Sequence, residues 1–106
     1  MTSELDYREL GLRIKQIRQE SGLTQERLAE LVGCNTSHIS NIENSHTKVS
    51  LNVLLAIANV LDTSIDYLLA NQYINASSAV DKEILRQLSS FDIKQKEKIL
   101  KIIRIL

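Results

Sequence analysis

The chain has no proline, no tryptophan, one phenylalanine, three tyrosines, three glycines and one cysteine among its 106 residues. Each shortage excludes something. With helix breakers this scarce, and with Leu, Ile, Ala, Glu, Lys and Gln abundant, an all-α fold is predicted. The lone cysteine, Cys34, rules out an internal disulfide and a thiolate zinc cluster. No apolar run is long enough to span a bilayer, so no membrane partner is expected. The first residues, Met1-Thr-Ser-Glu-Leu-Asp6, are polar and acidic, so a secretion signal is not expected and the cytoplasm is the expected location.

Net charge is also lacking: thirteen basic residues balance thirteen acidic ones. The balance is uneven along the chain. Residues 1–70 hold six Lys/Arg against nine Asp/Glu, and residues 71–106 hold seven against four. Nucleic-acid binders are usually basic somewhere. A nucleic-acid role for the first part therefore has to rest on a few well-placed donors, not on a bulk field. The length suits one domain, or a domain with a small appendage, and a core of modest size.

What is present is helical periodicity with start and stop signals. Asp6-Tyr-Arg-Glu9 has the form of a capping box opening a first helix. Leu10, Ile14 and Ile17 recur at helical spacing, and Ser21-Gly22 supplies a stop. Thr24 is suited to cap a second helix with Leu28, Ala29 and Val32 on one face. Gly33 can take the left-handed conformation that reverses the chain. Asn35 caps a third helix with Ile39 and Ile42 inward. After a loop over residues 44–49, Ser50 opens a fourth helix carrying Leu54, Leu55, Ile57, Ala58 and Leu61. Thr63-Ser64 caps a short fifth helix with Ile65, Leu68 and Leu69. Residues 71–77 read as a linker. Ser78 is expected to open a sixth helix with Val80, Ile84, Leu88 and Phe91 on its apolar face, and Asp92-Ile-Lys-Gln95 forms a capping box for a seventh.

The most informative stretch runs from Gln25 to Asn44. Counting from Gln25, Ala29, Gly33, Ile39 and Ile42 fall at positions 5, 9, 15 and 18. A small residue lets two helices cross closely, a glycine permits the tight turn, and two apolar residues seat the second helix. This pattern resembles the Cro-like, phage-repressor branch of helix-turn-helix proteins, the XRE family. The resemblance extends over Leu10–Arg18, Ser21–Ala29, Ile39–Asn44, Leu54–Ala58 and Leu61. It covers about residues 9–70 and implies a five-helix DNA-binding domain, taken as residues 6–70; the residue pattern beyond it predicts the linker and a C-terminal two-helix hairpin over 78–106.

What the resemblance implies can be carried onto matching positions. The third helix would enter the major groove of double-stranded DNA, with Thr36, Ser37, His38 and Asn41 reading bases. Asn41 is the best single reader, because its amide can bond both N6 and N7 of adenine. Gln25, Asn44, His46, Thr47 and Lys48 would hold the phosphate backbone. Arg18 and Glu43 match an ion pair that bridges the first and third helices in relatives. Relatives often carry glycine where this chain has Ser45, and proline where it has Val49, so the loop path is open. The function implied is a sequence-specific transcription regulator, a repressor bound to a palindromic operator. The alternative is a protein-interaction module of the antirepressor or antitoxin kind, which the acidic balance of residues 1–70 favours slightly.

Other chemistry is not expected. His38 and His46 lack a Cys or carboxylate at ligand spacing, so no metal site is expected. No glycine-framed nucleophile or paired base is visible, so neither catalysis nor a cofactor is expected. Cys34 reads as a partly buried turn residue. The last helix is different. Ile99, Leu100, Ile102, Ile103, Ile105 and Leu106 cover about 220° of its circumference, against the ~100° that one docking surface needs. The expectation is that one flank packs on the sixth helix and the other on a second copy, giving a homodimer through Ile99, Leu100, Ile102, Ile103 and Leu106.

Overall fold

The computed structural model describes residues 4–73 and 76–106. Seven α-helices follow in order: α1 Tyr7–Glu20, α2 Gln25–Val32, α3 Thr36–Glu43, α4 Leu51–Val60, α5 Ile65–Leu68, α6 Ala76–Leu88 and α7 Ile93–Ile105, with a 3₁₀ turn at Ala70–Gln72. No strand occurs among the described residues. Each of the first five helices opens on a side-chain cap: Asp6, Thr24, Asn35, Ser50 and Ser64 accept from backbone N–H groups two or three residues on. Such caps contribute ~1 kcal/mol apiece.

Burial contributes more. Leu10, Ile14, Leu28, Ile39, Ile57 and Leu68 are almost completely buried, each stabilising by about 1.5–3 kcal/mol. They form one core with Ala29, Ile42, Leu54, Ala58 and Leu61, drawn from α1 to α5 and the turn that ends α4. The α2–α3 pair packs on α1 and α4, so the turn between α2 and α3 lies on a rigid base.

Three expectations need correction. Only half of the Asp6–Glu9 capping box exists: Asp6 caps α1, but its own N–H donates to Gln72 Oε1 at 3.0 Å, and Gln72 Nε2 donates to the Asp6 carbonyl at 2.9 Å. The Glu9 carboxylate is taken by Asn71 Nδ2 at 2.8 Å. Two residues of the expected linker thus tie the end of the core to its beginning; residues 74 and 75 of that linker lie outside the described residues.

The second correction concerns α6. It begins at Ala76 rather than at Ser78, and ends before Phe91. Its buried positions are Ala79 and Glu83, while Ile84 is 51% exposed. A polar network turns this face inward. Glu83 accepts from Ser64 Oγ (3.2 Å), Arg86 Nη2 (2.9 Å) and Gln87 Nε2 (2.9 Å), and Arg86 Nη1 reaches Asp62 at 3.4 Å. Burial by itself pushes the Glu83 carboxyl pKa up; the bonds from Arg86, Gln87 and Ser64 outweigh it and hold the group below its ordinary value.

The third is α7. It does not pack along α6; none of its residues is buried. Of the residues expected at a dimer contact, Ile99 is half-buried and Leu100, Ile102, Ile103 and Leu106 are exposed by half or more. The radius of gyration is 15.5 Å, against ~13 Å for a compact chain of this length. The Asp92–Gln95 capping box is fully formed and fixes where α7 starts.

Candidate nucleic-acid interface

The interface is built from α2, the turn after it, and α3. Gly33 ends α2 in the left-handed conformation with φ of 88°, and both its N–H and that of Cys34 bond the Ala29 carbonyl, at 2.8 and 3.0 Å. Ala29 is buried at the crossing. Cys34 is half-buried, and burial pushes its thiol pKa up, away from the reactive thiolate. Asn35 then starts α3 by accepting from the His38 N–H at 2.8 Å.

The two faces of α3 are sharply different. Ile39, Ile42 and Glu43 are buried. Ser37, Asn41 and Asn44, spaced one turn apart, are exposed, while Thr36, His38 and Ser40 are half-buried at the edges. The Ser37 hydroxyl donates to Asn35 Oδ1 at 2.9 Å and the Asn44 amide donates to Ser40 Oγ at 3.3 Å, so the flanks of the exposed face are ordered. Of the four expected base readers, Ser37 and Asn41 lie on this exposed face, and Thr36 and His38 lie half-buried on its two flanks.

A buried clamp fixes how this strip is presented. Arg18 Nε donates to Glu43 Oε2 at 2.7 Å and Arg18 Nη2 to Glu43 Oε1 at 3.0 Å, a two-pronged ion pair closed to water. Arg18 Nη1 donates to the Leu23 carbonyl at 2.8 Å, and Gln25 Nε2 to Glu43 Oε1 at 3.0 Å. Arg18 and Glu43 together thereby lock α1, the turn before α2, the first residue of α2 and the end of α3. The resemblance offered Gln25 for a phosphate; in the structure one of its amide N–H groups is already engaged inside the protein.

Sequence reasoning overlooked Gly11. A Cβ there would lie 2.5 Å from the Ile42 carbonyl oxygen and 2.6 Å from that of Glu43. The α1 backbone therefore sits directly against the end of α3. A signal was available: glycine in a helix interior costs ~1 kcal/mol, and one kept there points to a close approach.

The loop after α3 closes without the glycine common in relatives. Ser45 itself takes a left-handed φ of 58°; its N–H bonds Ile42 O at 3.2 Å and the His46 N–H bonds Asn41 O at 2.8 Å. This is a complete Schellman end. Val49, in place of proline, packs on the core. Asn44 and His46 are exposed, Thr47 is half-buried, and the Lys48 ammonium lies 5.7 Å from the centre of the Tyr7 ring, on the α1 side of the loop.

Charge placement resolves the acidic excess of the first seventy residues. Between residues 31 and 61 the single acid is Glu43. It is 2% exposed and neutralised by Arg18. The α3 strip and its following loop therefore present hydroxyls, amides, imidazoles and one ammonium, with no exposed carboxylate of their own.

Two short helices joined by a glycine turn, the second seated by an apolar pair and offering a polar face, define a helix-turn-helix module. The helix-turn-helix family model matches residues 14–68, and the chain belongs to that family. The XRE-type resemblance holds among curated relatives. The chain is 32% identical over 72 residues to the transcriptional regulator ImmR of Bacillus subtilis, covering 68% of this chain and 57% of ImmR. It is 33% identical over 69 residues to the control protein C.SmaI of Serratia marcescens, covering 64% of this chain and 82% of that one. Among solved structures, SinR, a master regulator for biofilm formation crystallised with DNA, is 43% identical with a TM-score of 0.53, covering 57% of this chain and 97% of the other. The chain spans little more than half of ImmR. The family is one of DNA-binding regulators, not of enzymes. Among the described residues no helix is long and apolar enough to cross a membrane, and no group of His, Cys, Asp or Glu is placed to hold a metal.

Proposed function

We propose that the chain is a sequence-specific transcription regulator that represses by binding a palindromic DNA operator as a dimer. In this reading α3 lies in the major groove, Asn41 reads an adenine, and Thr36, Ser37 and His38 contact neighbouring bases. The second amide N–H of Gln25 and the backbone at the start of α2 hold one phosphate stretch, and Asn44, His46, Thr47 and Lys48 hold the other. The observation that carries the reading is the exposed strip Ser37–Asn41–Asn44, free of carboxylates, on a helix held rigidly by the Arg18–Glu43 clamp. Dimerisation is assigned to the apolar residues of α7, half-buried Ile99 and exposed Leu100, Ile102, Ile103 and Leu106, since an exposed apolar surface of that extent marks an interaction site. Two copies then match two half-sites ~34 Å apart.

The protein-interaction alternative drew on the acidic balance of residues 1–70, and those acids lie outside the α3 strip. Selection of bound duplexes from a random pool tests the reading, because it reports binding, consensus and palindromy together. Asn41→Ala is expected to lose about 1–3 kcal/mol of specific binding with unchanged melting. Lys48→Ala should weaken all sequences alike and lower the salt slope by ~1. A pool that returns no enriched sequence refutes the proposal.

A further inference from the structure

The inverted packing of α6 leaves a groove. With Glu83 turned inward, Val80 and Ile84 border an open hollow of about 430 Å³ between the end of α1, the α4–α5 turn and α6. Its other apolar walls are Ile17, Leu61 and Tyr67. Its acidic members are Glu20, Asp62 and Glu83. Glu83 is satisfied by Arg86, but the Asp62 side chain is 87% exposed with only the long 3.4 Å contact to Arg86, and the Glu20 carboxylate accepts only from the neutral Gln16 amide at 3.2 Å. The Thr63 hydroxyl also borders the groove, buried and without a hydrogen-bond partner. An apolar floor, two acids with weak partners and an unmet hydroxyl together suit an amphipathic basic segment.

This chain carries such a segment. In α7, Ile99, Ile102, Ile103 and Leu106 fall on one side at ~100° per residue, with Lys94, Lys98, Lys101 and Arg104 gathered opposite and on its flank. No α7 residue is buried. Its own chain directs it elsewhere. The connection from α6 is a formed turn: Ser89 and Ser90 hydroxyls donate to the Arg86 and Gln87 carbonyls at 2.7 and 2.9 Å, Phe91 N–H bonds Leu88 O at 3.1 Å, and Asp92 caps α7. The helix that reaches the groove is then that of a second copy.

We propose that α7 of one copy docks in the α1–α4/α5–α6 groove of its partner, and reciprocally, so that the dimer forms by helix exchange rather than by α7 pairing with α7. The inference rests on the dimer reading above. Reciprocal exchange is self-complementary, as a twofold dimer requires. It places the basic side of α7 beside Glu20 and Asp62 in the partner's groove. It also couples the dimer to the clamp, because Ile17 in the groove wall precedes Arg18, which holds α3.

The test uses the full chain with Cys34→Ser as background. One copy carries Ile84→Cys; a second copy, bearing a size tag, carries Ile103→Cys. After mixing and mild oxidation, the expected product is the mixed-size disulfide dimer, suppressed in high salt before cross-linking. Sedimentation of the uncross-linked protein is measured alongside. Ile84→Asp, at a half-exposed position that folding tolerates, should weaken dimerisation by at least about tenfold. A dimer in solution that yields only Ile103–Ile103 cross-links overturns the exchange and leaves the dimer reading standing. A chain carrying both cysteines that closes a disulfide within a monomer overturns the choice of a second copy. A monomer at all concentrations sinks both proposals.

Discussion

Gly11→Ala sets two physical effects against each other, and the structure decides the sign. In an exposed helix interior the change gains about 1 kcal/mol of helix propensity. Here the added carbon meets backbone, the Ile42 and Glu43 carbonyls at 2.5 and 2.6 Å, with the Glu43 carbonyl carbon at 3.0 Å. A flexible side chain could swing aside; this backbone cannot, because it is pinned by Arg18 on one side and by the Schellman end at Ser45 on the other. The α1 and α3 axes must therefore part by roughly half an ångström or more, and overpacking of this kind costs about 1–3 kcal/mol, the upper end where no rotamer relieves it. The same displacement stretches the 2.7 Å Arg18–Glu43 contact, adding to the loss. The net expectation is a loss of about 2 kcal/mol, equivalent to a fall of roughly 8–15 °C in Tm for a domain of this size. Circular dichroism through thermal and urea unfolding measures it. Gly33→Ala is the comparator: its Cβ meets nothing within 4 Å, so only the left-handed φ of 88° opposes it, at about 1–2 kcal/mol. A Gly11→Ala protein as stable as the parent, or more so, refutes the close-approach argument.

Three further expectations follow from the clamp, the loop and α6. Glu43→Gln or Arg18→Met leaves the partner charge buried, and each should cost about 3–5 kcal/mol in urea unfolding. The double replacement Arg18→Met with Glu43→Leu should recover most of that loss while still weakening operator binding; additive losses would contradict a coupled pair. Ser45→Gly should raise stability by up to ~1 kcal/mol by removing a left-handed serine, and Ser45→Val should lower it; the reverse order would mean that the Schellman end does not hold in solution. The Glu83 pKa is lowered in the fold, so its stabilisation of α6 is complete above the ordinary carboxylate range and is lost as pH falls through the lower, folded value. Hydrogen exchange of α6 amides at stepwise lower pH should show protection fading there, and Glu83→Gln should abolish that dependence; α6 protection that stays flat in acid would argue against the network.

Much of the fold was legible because it is written locally. The caps Thr24, Asn35, Ser50 and Ser64 and the turn at Gly33 act within three residues, and core positions recur at the period of a helix. The exposure of Ser37 and Asn41 was legible for the same reason: once Ile39 and Ile42 face inward, helical geometry turns both outward. Glu9 illustrates the limit of that logic. It stood at the right spacing for a reciprocal cap, yet Gln72, 66 residues from Asp6, took the bond. The α6 register failed likewise. Val80, Ile84 and Leu88 form an apolar stripe, but burying Glu83 against Ser64, Arg86 and Gln87 satisfied more polar groups.

Sequence alone determined that seven helices form, where the first five and α7 begin, the glycine turn and which face of α3 is polar, since each depends on torsions and neighbours a few residues apart. Only the tertiary structure decided that Gly11 touches the end of α3, that Gln25 spends an amide on Glu43, that α6 turns a carboxylate inward and that α7 stands free. Those outcomes depend on which distant groups meet across the core, and the competition among such contacts has no period along the chain.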